Sequence, residues 1–315
     1  MVSVRFIKGK TSKFVNTNAN HTLNGIICQP ACFFSESLYN SSNMGQVQDR
    51  IHIRRLPWKS VVFLAVGLVV FGWVINTPGG LLGKADAIGY AVCHRIDVRS
   101  FHLGERQLPL CARCTGMFLG ALLGLVYQGW KGRHRSGMPP RSILVFCGFL
   151  VAAFAIDGVN SFMNLIPGAP SIYEPQNWLR LLTGTGMGLV ISIAVFPAFN
   201  QTVCADWDKR PAIEGWRSMG SLIALSILMD LLVLSENLFV LYPLALASAA
   251  GVVVLLVMIY TMVLVMAFRR DNRYQSLQQL AVPLAGCLML AVLQIAFFDF
   301  LRYMLTGTWD GFHIG

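Results

Sequence analysis

Seven stretches of this chain, near residues 58–77, 112–130, 142–165, 179–198, 218–235, 241–267 and 279–305, are long and apolar enough to cross a bilayer core. About 20 residues of helix suffice for one crossing. Inside lipid the backbone must satisfy its own hydrogen bonds, so continuous apolar segments read as helices, whereas a barrel would show short alternating strands. Composition agrees: 55% of the 315 residues are hydrophobic and 13% charged, about half the roughly 25% charged residues of an ordinary soluble domain. A soluble globule is excluded. Collagen-like, coiled-coil and disordered classes fail too, because the glycines keep no three-residue period, charge is scarce and the apolar runs are long. The expected class is all-α, a polytopic helical membrane protein of about seven transmembrane helices in the lipid bilayer.

A formal net charge of +10 would suit nucleic acid, but in a membrane chain Lys and Arg are first expected in cytoplasmic loops. With the N-terminus cytoplasmic, the inside set is Arg5, Lys8, Lys10, Lys13, Arg50, Arg54, Arg55, Lys59, Lys131, Arg133, Arg135, Arg141, Lys209, Arg210, Arg217, Arg269, Arg270 and Arg273. Lys84, Arg95, Arg99, Arg106, Arg113, Arg180 and Arg302 fall outside. Every inside loop is basic, so the bias predicts N-terminus in and C-terminus out. Trp58, Trp130, Trp178 and Trp216 stand at span ends, where an aromatic belt places them. The charge is thereby accounted for without a nucleic-acid partner.

Three sections are expected: a tail over 1–57, a four-span core over 58–198 and three further spans over 199–315. The tail is polar, rich in Asn and Ser and without sustained period, which predicts a disordered cytoplasmic segment. Its Cys28 and Cys32 read as ordinary thiols rather than as a metal pair, and Met44 is a candidate translation start. A cleaved signal peptide is not expected, since the first apolar run begins only at Trp58 and is too long for one.

Residues 78–111 form the longest outside loop, and long loops in compact proteins are usually functional. Cys93-His94-Arg95 is followed by Arg99-Ser100-Phe101-His102-Leu103-Gly104, by Arg106-Gln107-Leu108-Pro109-Leu110, and by Cys111-Ala112-Arg113-Cys114-Thr115-Gly116. A C-x2-C pair at the start of a helix brings two sulfurs to one side, where the helix N-terminus favours thiolates. Cys93 as third ligand and His94 or His102 as fourth would complete a zinc-type set with Cys111 and Cys114. Thiol–disulfide exchange through the C-x2-C pair is a second reading, and a structural disulfide with one leftover thiol a third. An odd number of cysteines favours metal, because disulfides consume them in pairs. A c-type haem is disfavoured, since Thr115 stands where the attachment motif needs histidine.

Cys93-His94, Arg99-Ser100-Phe101, Gly104, Gln107, Pro109 and the run from Cys111 to Gly116 together resemble the signature of a prokaryotic membrane family, domain of unknown function 2085. The resemblance continues through Asp157-Gly158 and through Asn177, Leu179, Arg180, Thr183 and Gly184, covering about residues 90–195. It implies a multi-pass protein of a prokaryotic plasma (inner) membrane with a shared site, and it implies no particular reaction.

Charge inside a span is costly and usually functional or paired. Asp157, Asn160, Ser161 and Asn164 share one face of the third span, and Asn177, Arg180, Thr183 and Gly184 one face of the fourth. At about 1.5 Å per residue, Asp157 lies roughly 12 Å below the outer end. An Asp157–Arg180 pair, direct or water-bridged, is therefore expected beneath the cysteines, with Arg113, Asn160, Asn177 and Thr183 around it. Asp230, Asp299 and Arg302 also fall in the outer half of their spans, which suggests an aqueous cavity open to that side; Asp299 and Arg302 are spaced to pair within one helix. Gly116, Gly120 and Gly124, with Gly184 and Gly188, predict close packing of the second and fourth spans.

Three functions remain open: metal-assisted chemistry on a lipid-linked or exoplasmic substrate, a membrane thiol–disulfide oxidoreductase, and a transporter or scaffold. In the first, Asp157 would act as base and Arg180 would hold an anionic headgroup. Four protein ligands would make a closed, structural zinc site, whereas catalysis needs an open position.

Overall fold

A computed structural model describes residues 58–166, 168 and 170–310, Leu277 by its backbone only. The tail expected over 1–57, with Cys28, Cys32 and Met44, lies outside the described residues. Eight α-helices follow in order: α1 (Trp58–Ile75), α2 (Gly80–Val92), α3 (Ala112–Lys131), α4 (Arg141–Met163), α5 (Asn177–Val203), α6 (Trp216–Leu234), α7 (Leu238–Ala267) and α8 (Leu277–Thr306). Six of them, all but α2 and α3, are long and apolar enough to cross a membrane. The chain is thus an all-α polytopic membrane protein.

Two differences from the expected spans have physical causes. The second expected span, α3, is 20 residues long, but Arg113, Gln128 and its glycines make it the most polar of the seven. It can be so because it is enclosed by protein: Thr115, Gly116, Leu119, Gly120, Gly124 and Gln128 are all buried on it. The second difference is α2, a 13-residue helix inside what reads as an outside loop. It is too short to span and packs against α7 and α8.

The α3–α5 contact organises the molecule. A Cβ added to Gly120 would stand 2.6 Å from the Thr185 carbonyl oxygen, and one on Gly116 or Gly184 would strike the backbone of Leu181 or Arg113. Backbones that approach this closely leave room for no side chain, which is the packing expected of small residues at four-residue spacing. The core joins both halves of the chain, since Phe101, Leu108, Leu119 and Leu181 pack with Met229, Val233, Leu241 and Ala245. Trp58, Trp130, Trp178 and Trp216 are exposed at helix ends, and α1, α4 and α6 turn large apolar side chains outward, as lipid-facing helices do.

Between α2 and α3 the chain makes a single 3-10 turn at Asp97–Arg99 and a hairpin of β1 (His102–Leu103) antiparallel to β2 (Arg106–Gln107). Gly104, at φ +66°, supplies the left-handed residue of the hairpin turn. At the other end of the bundle, β3 (Arg135–Gly137) runs parallel to β4 (Asp208–Pro211), joining the α3–α4 and α5–α6 connections.

Candidate metal centre and the arginine pocket beside it

Three elements deliver the cysteines. Cys93 caps the C-terminus of α2, Cys111 stands at the N-cap of α3, and Cys114 lies in the first turn of α3. Their sulfurs lie within 4.8 Å of one another, and all three are free thiols. A zinc ion about 2.3 Å from each sulfur would require separations of about 3.8 Å in tetrahedral geometry, so the triad fits such an ion with little movement. Cys93 and Cys111 are buried, and the Cys111 amide donates to Cys93 Sγ at 3.5 Å. Hydrogen bonds from the Cys111 and Cys114 thiols hold the Cys93 thiol well below the usual cysteine range.

Neither histidine joins the triad among the described residues. His94 is exposed, beside a recess of about 310 Å³ that it lines with Tyr90, Cys93, Phe298 and Arg302. His102 faces the carboxylate of Asp97, with Nε2 2.9 Å from Oδ1. Among the described residues no fourth protein ligand stands with the three sulfurs.

The backbone around Cys93 is held from three sides. Arg302 of α8 donates to the carbonyls of Tyr90 (2.7 Å) and Cys93 (2.6 Å), placing a cation at the C-terminus of α2, where the helix dipole favours it. Arg95, in the left-handed region at φ 49°, turns the chain and pairs with Asp86 of α2 at 3.1 Å. Asp86 also takes Arg106 from the hairpin. Gln107 closes the loop, donating to the Arg95 carbonyl at 2.9 Å and to Ser100 Oγ at 2.8 Å. Asp299, on the other hand, accepts from the Trp73 indole at 3.1 Å.

Beside the cysteines the polar side chains expected around Asp157 are joined by hydrogen bonds, with a different pairing. The direct partner of Asp157 is Arg113, not Arg180: Arg113 donates from Nε to Oδ2 at 3.0 Å and also from Nη2. Arg113 sits on the α3 turn pressed against Gly184, which aims its side chain across α5 to α4. Tyr173 Oη donates to the other carboxylate oxygen at 2.8 Å, and Thr183 Oγ1 to Oδ2 at 3.2 Å. Burial, then the hydrogen bond and charge of Asp157, push the Tyr173 phenol up to about 12. Arg180 turns instead to Asn177 Oδ1 at 2.8 Å and Ser161 Oγ at 3.5 Å. Asn160 clamps the α4–α5 connection, accepting from the Ile172 amide at 2.8 Å and donating to the Tyr173 carbonyl at 2.9 Å. Asn177 reaches the carbonyls of Val98 (3.3 Å) and Ser100 (3.4 Å), fastening the cysteine loop to α5. Asp157, Asn160, Ser161 and Arg180 are all buried.

Sequence reasoning missed Tyr173, whose position in an irregular connection carries no periodic signal. It also missed the Asp86 pairs and the grip of Arg302 on Cys93. The 18-residue separation of Cys93 from Cys111, by contrast, is bridged as the ligand count suggested.

Comparison with known proteins finds matches over the segment that carries the site. Residues 93–194 match the family model described as predicted membrane protein, DUF2085. An uncharacterised protein of Methanocaldococcus jannaschii is 26% identical over 118 residues, covering 37% of this chain and 69% of that protein. One of Methanothermobacter thermautotrophicus is 28% identical over 102 residues, covering 32% and 82%. No solved structure matches the chain. The matched segment holds the whole cysteine triad, Arg113, Asp157 and Arg180, so it is over the candidate site that the chain is similar to the DUF2085 predicted membrane proteins.

Proposed function

We propose that this protein is a plasma-membrane metalloprotein in which Cys93, Cys111 and Cys114 hold a zinc-type ion on the exoplasmic face. The observation that carries this reading is the convergence of three sulfurs within 4.8 Å, with no histidine or carboxylate among them in the described residues. Three protein ligands and an open fourth position are the pattern of zinc sites that act as Lewis acids, whereas structural sites are closed by four. The ion would supply polarisation of a substrate oxygen or of water. The chain would do the rest: burial excludes bulk water from the sulfurs, Arg302 and Asn177 fix the loop, and Arg180 is the cation nearest Asn177 for an anionic part of the substrate. Asp157 already accepts from Arg113, Tyr173 and Thr183. Holding Arg113 in place is therefore its first task, and service as a base requires that it release one of those donors.

Metal-edge X-ray absorption on the zinc-loaded protein tests the ligand set. Three sulfurs at about 2.3 Å with one nitrogen or oxygen are expected; a first shell without sulfur would overturn the reading. If instead the protein binds no metal and Cys111 and Cys114 cycle between thiols and a disulfide, the oxidoreductase reading takes its place. An impermeant thiol reagent applied to metal-free, reduced protein in sealed vesicles tests the side of the membrane: labelling from the cytoplasmic side alone would reverse the orientation.

A further inference from the structure

Three guanidinium groups converge on one serine. Arg113 Nη2 donates to Ser161 Oγ at 2.8 Å, Arg180 Nε to the same oxygen at 3.5 Å, and Arg99 Nη2 to the Ser161 carbonyl at 3.0 Å. The one carboxylate in contact with this group is Asp157, which is taken by Arg113. Among the described residues no ion pair reaches Arg99 or Arg180. Arg180 is only 6% exposed, and its side chain rests on a neutral amide and a hydroxyl. A buried guanidinium without a counter-anion is expensive, and the partly buried Arg99 beside it adds a like charge. The neighbouring charge of Arg113, after burial itself, already pulls the Arg99 guanidinium below its usual range. Thiolates at the nearby metal centre offset only part of this: three thiolates around a divalent ion carry one net negative charge, which with Asp157 still leaves the three arginines one positive charge in excess.

We propose that Arg99, Arg113 and Arg180 form a receptor for a phosphoryl group. The guanidinium fork matches the oxygens of phosphate and carboxylate alike. A tetrahedral phosphoryl group offers three oxygens for three forks, and a carboxylate offers two. Val98, Ile172 and Trp178, beside Arg99, Tyr173 and Asn177 in the chain, are exposed, so the arginines lie close to the surface and the group can arrive on a lipid headgroup or as free phosphate. The inference deepens the functional reading above by naming the ligand class, yet it stands on the arginines and not on the metal.

Calorimetric titration of the purified protein in detergent with inorganic phosphate tests the receptor. A parallel arm compares nanodiscs containing phosphatidic acid with discs of phosphatidylcholine alone, read by the lipid retained on extraction. Saturable binding in either arm is expected; the first identifies free phosphate as the source and the second a phosphomonoester lipid. Arg180→Gln should weaken it by about tenfold or more, the loss of one charge-assisted contact. Arg99→Gln, at a less buried site, should do the same and decides the matter if Arg180→Gln fails to fold. Cys114→Ala should keep phosphate binding even if it loses metal. No binding in either arm, or binding unchanged in both arginine variants, would overturn the proposal, as would binding lost in Cys114→Ala and kept in the arginine variants.

Discussion

Arg113, between Cys111 and Cys114 in the first turn of α3, holds the buried carboxylate of Asp157 on α4 through Nε at 3.0 Å. One side chain thereby joins the sulfur cluster to the polar face inside the helix bundle.

Breaking that pair leaves Arg113 uncompensated beside Arg99 and Arg180. Asp157→Ala should destabilise the protein by about 3–5 kcal/mol, the cost of removing one partner of a buried ion pair. Thermal unfolding in detergent checks it; a change under about 1 kcal/mol would show that Arg113 finds another partner at no cost.

Arg302 holds the Cys93 carbonyl at 2.6 Å from outside the ligand set. Groups that orient metal ligands in this way are worth about 10–100-fold in metal affinity. Arg302→Ala should therefore weaken zinc binding by that factor in a chelator competition, while Arg269→Ala, at the other end of the bundle, should leave it unchanged.

The glycines of α3 and α4 should respond in opposite directions. Gly120→Val drives side-chain atoms into the Thr185 backbone, where a Cβ alone already meets the carbonyl oxygen at 2.6 Å. Overpacking of this kind costs about 1–3 kcal/mol or more. Gly148 on α4 has nothing within 4 Å of its added Cβ, so Gly148→Ala should stabilise the helix by about 0.5–1 kcal/mol. Melting temperatures of the two variants report both signs.

Tyr173 makes stability depend on pH at the alkaline end. Its phenol is held neutral in the fold up to about 12, against about 10 in the unfolded chain. A raised value means the folded state binds the proton more tightly, so this contribution is complete below about pH 10 and is lost as pH rises toward the folded value. Tyr173→Phe should flatten that part of the stability–pH curve. Parallel curves for the two proteins would show that the phenol makes no such contribution.

The long helices and the cysteine triad are legible in the sequence because each obeys a local rule: about twenty apolar residues for a span, and a C-x2-C pair at a helix start. Helix depth was legible too, since Asp157, Arg180, Asp230 and Asp299 do lie toward the cysteine end of their helices. Rotation about the helix axis was not. Rise per residue puts Asp157 and Arg180 at similar depths, but only the glycine contact between α3 and α5 decides that Arg113 reaches the carboxylate first. The helix α2 escaped notice because Lys84 and Asp86 interrupt a short run of small residues, Ala85, Ala87 and Gly89, whose burial depends on α7 and α8.

The central claim is that the three sulfurs hold a metal ion, and metal content measured beside free thiols tests it most directly. Purified protein should carry one equivalent of metal with Cys93, Cys111 and Cys114 protected from thiol reagents, and Cys114→Ala should lose the metal and expose the other two. Metal-free protein with all three thiols reactive, or with Cys111 and Cys114 joined in a disulfide, would contradict the claim.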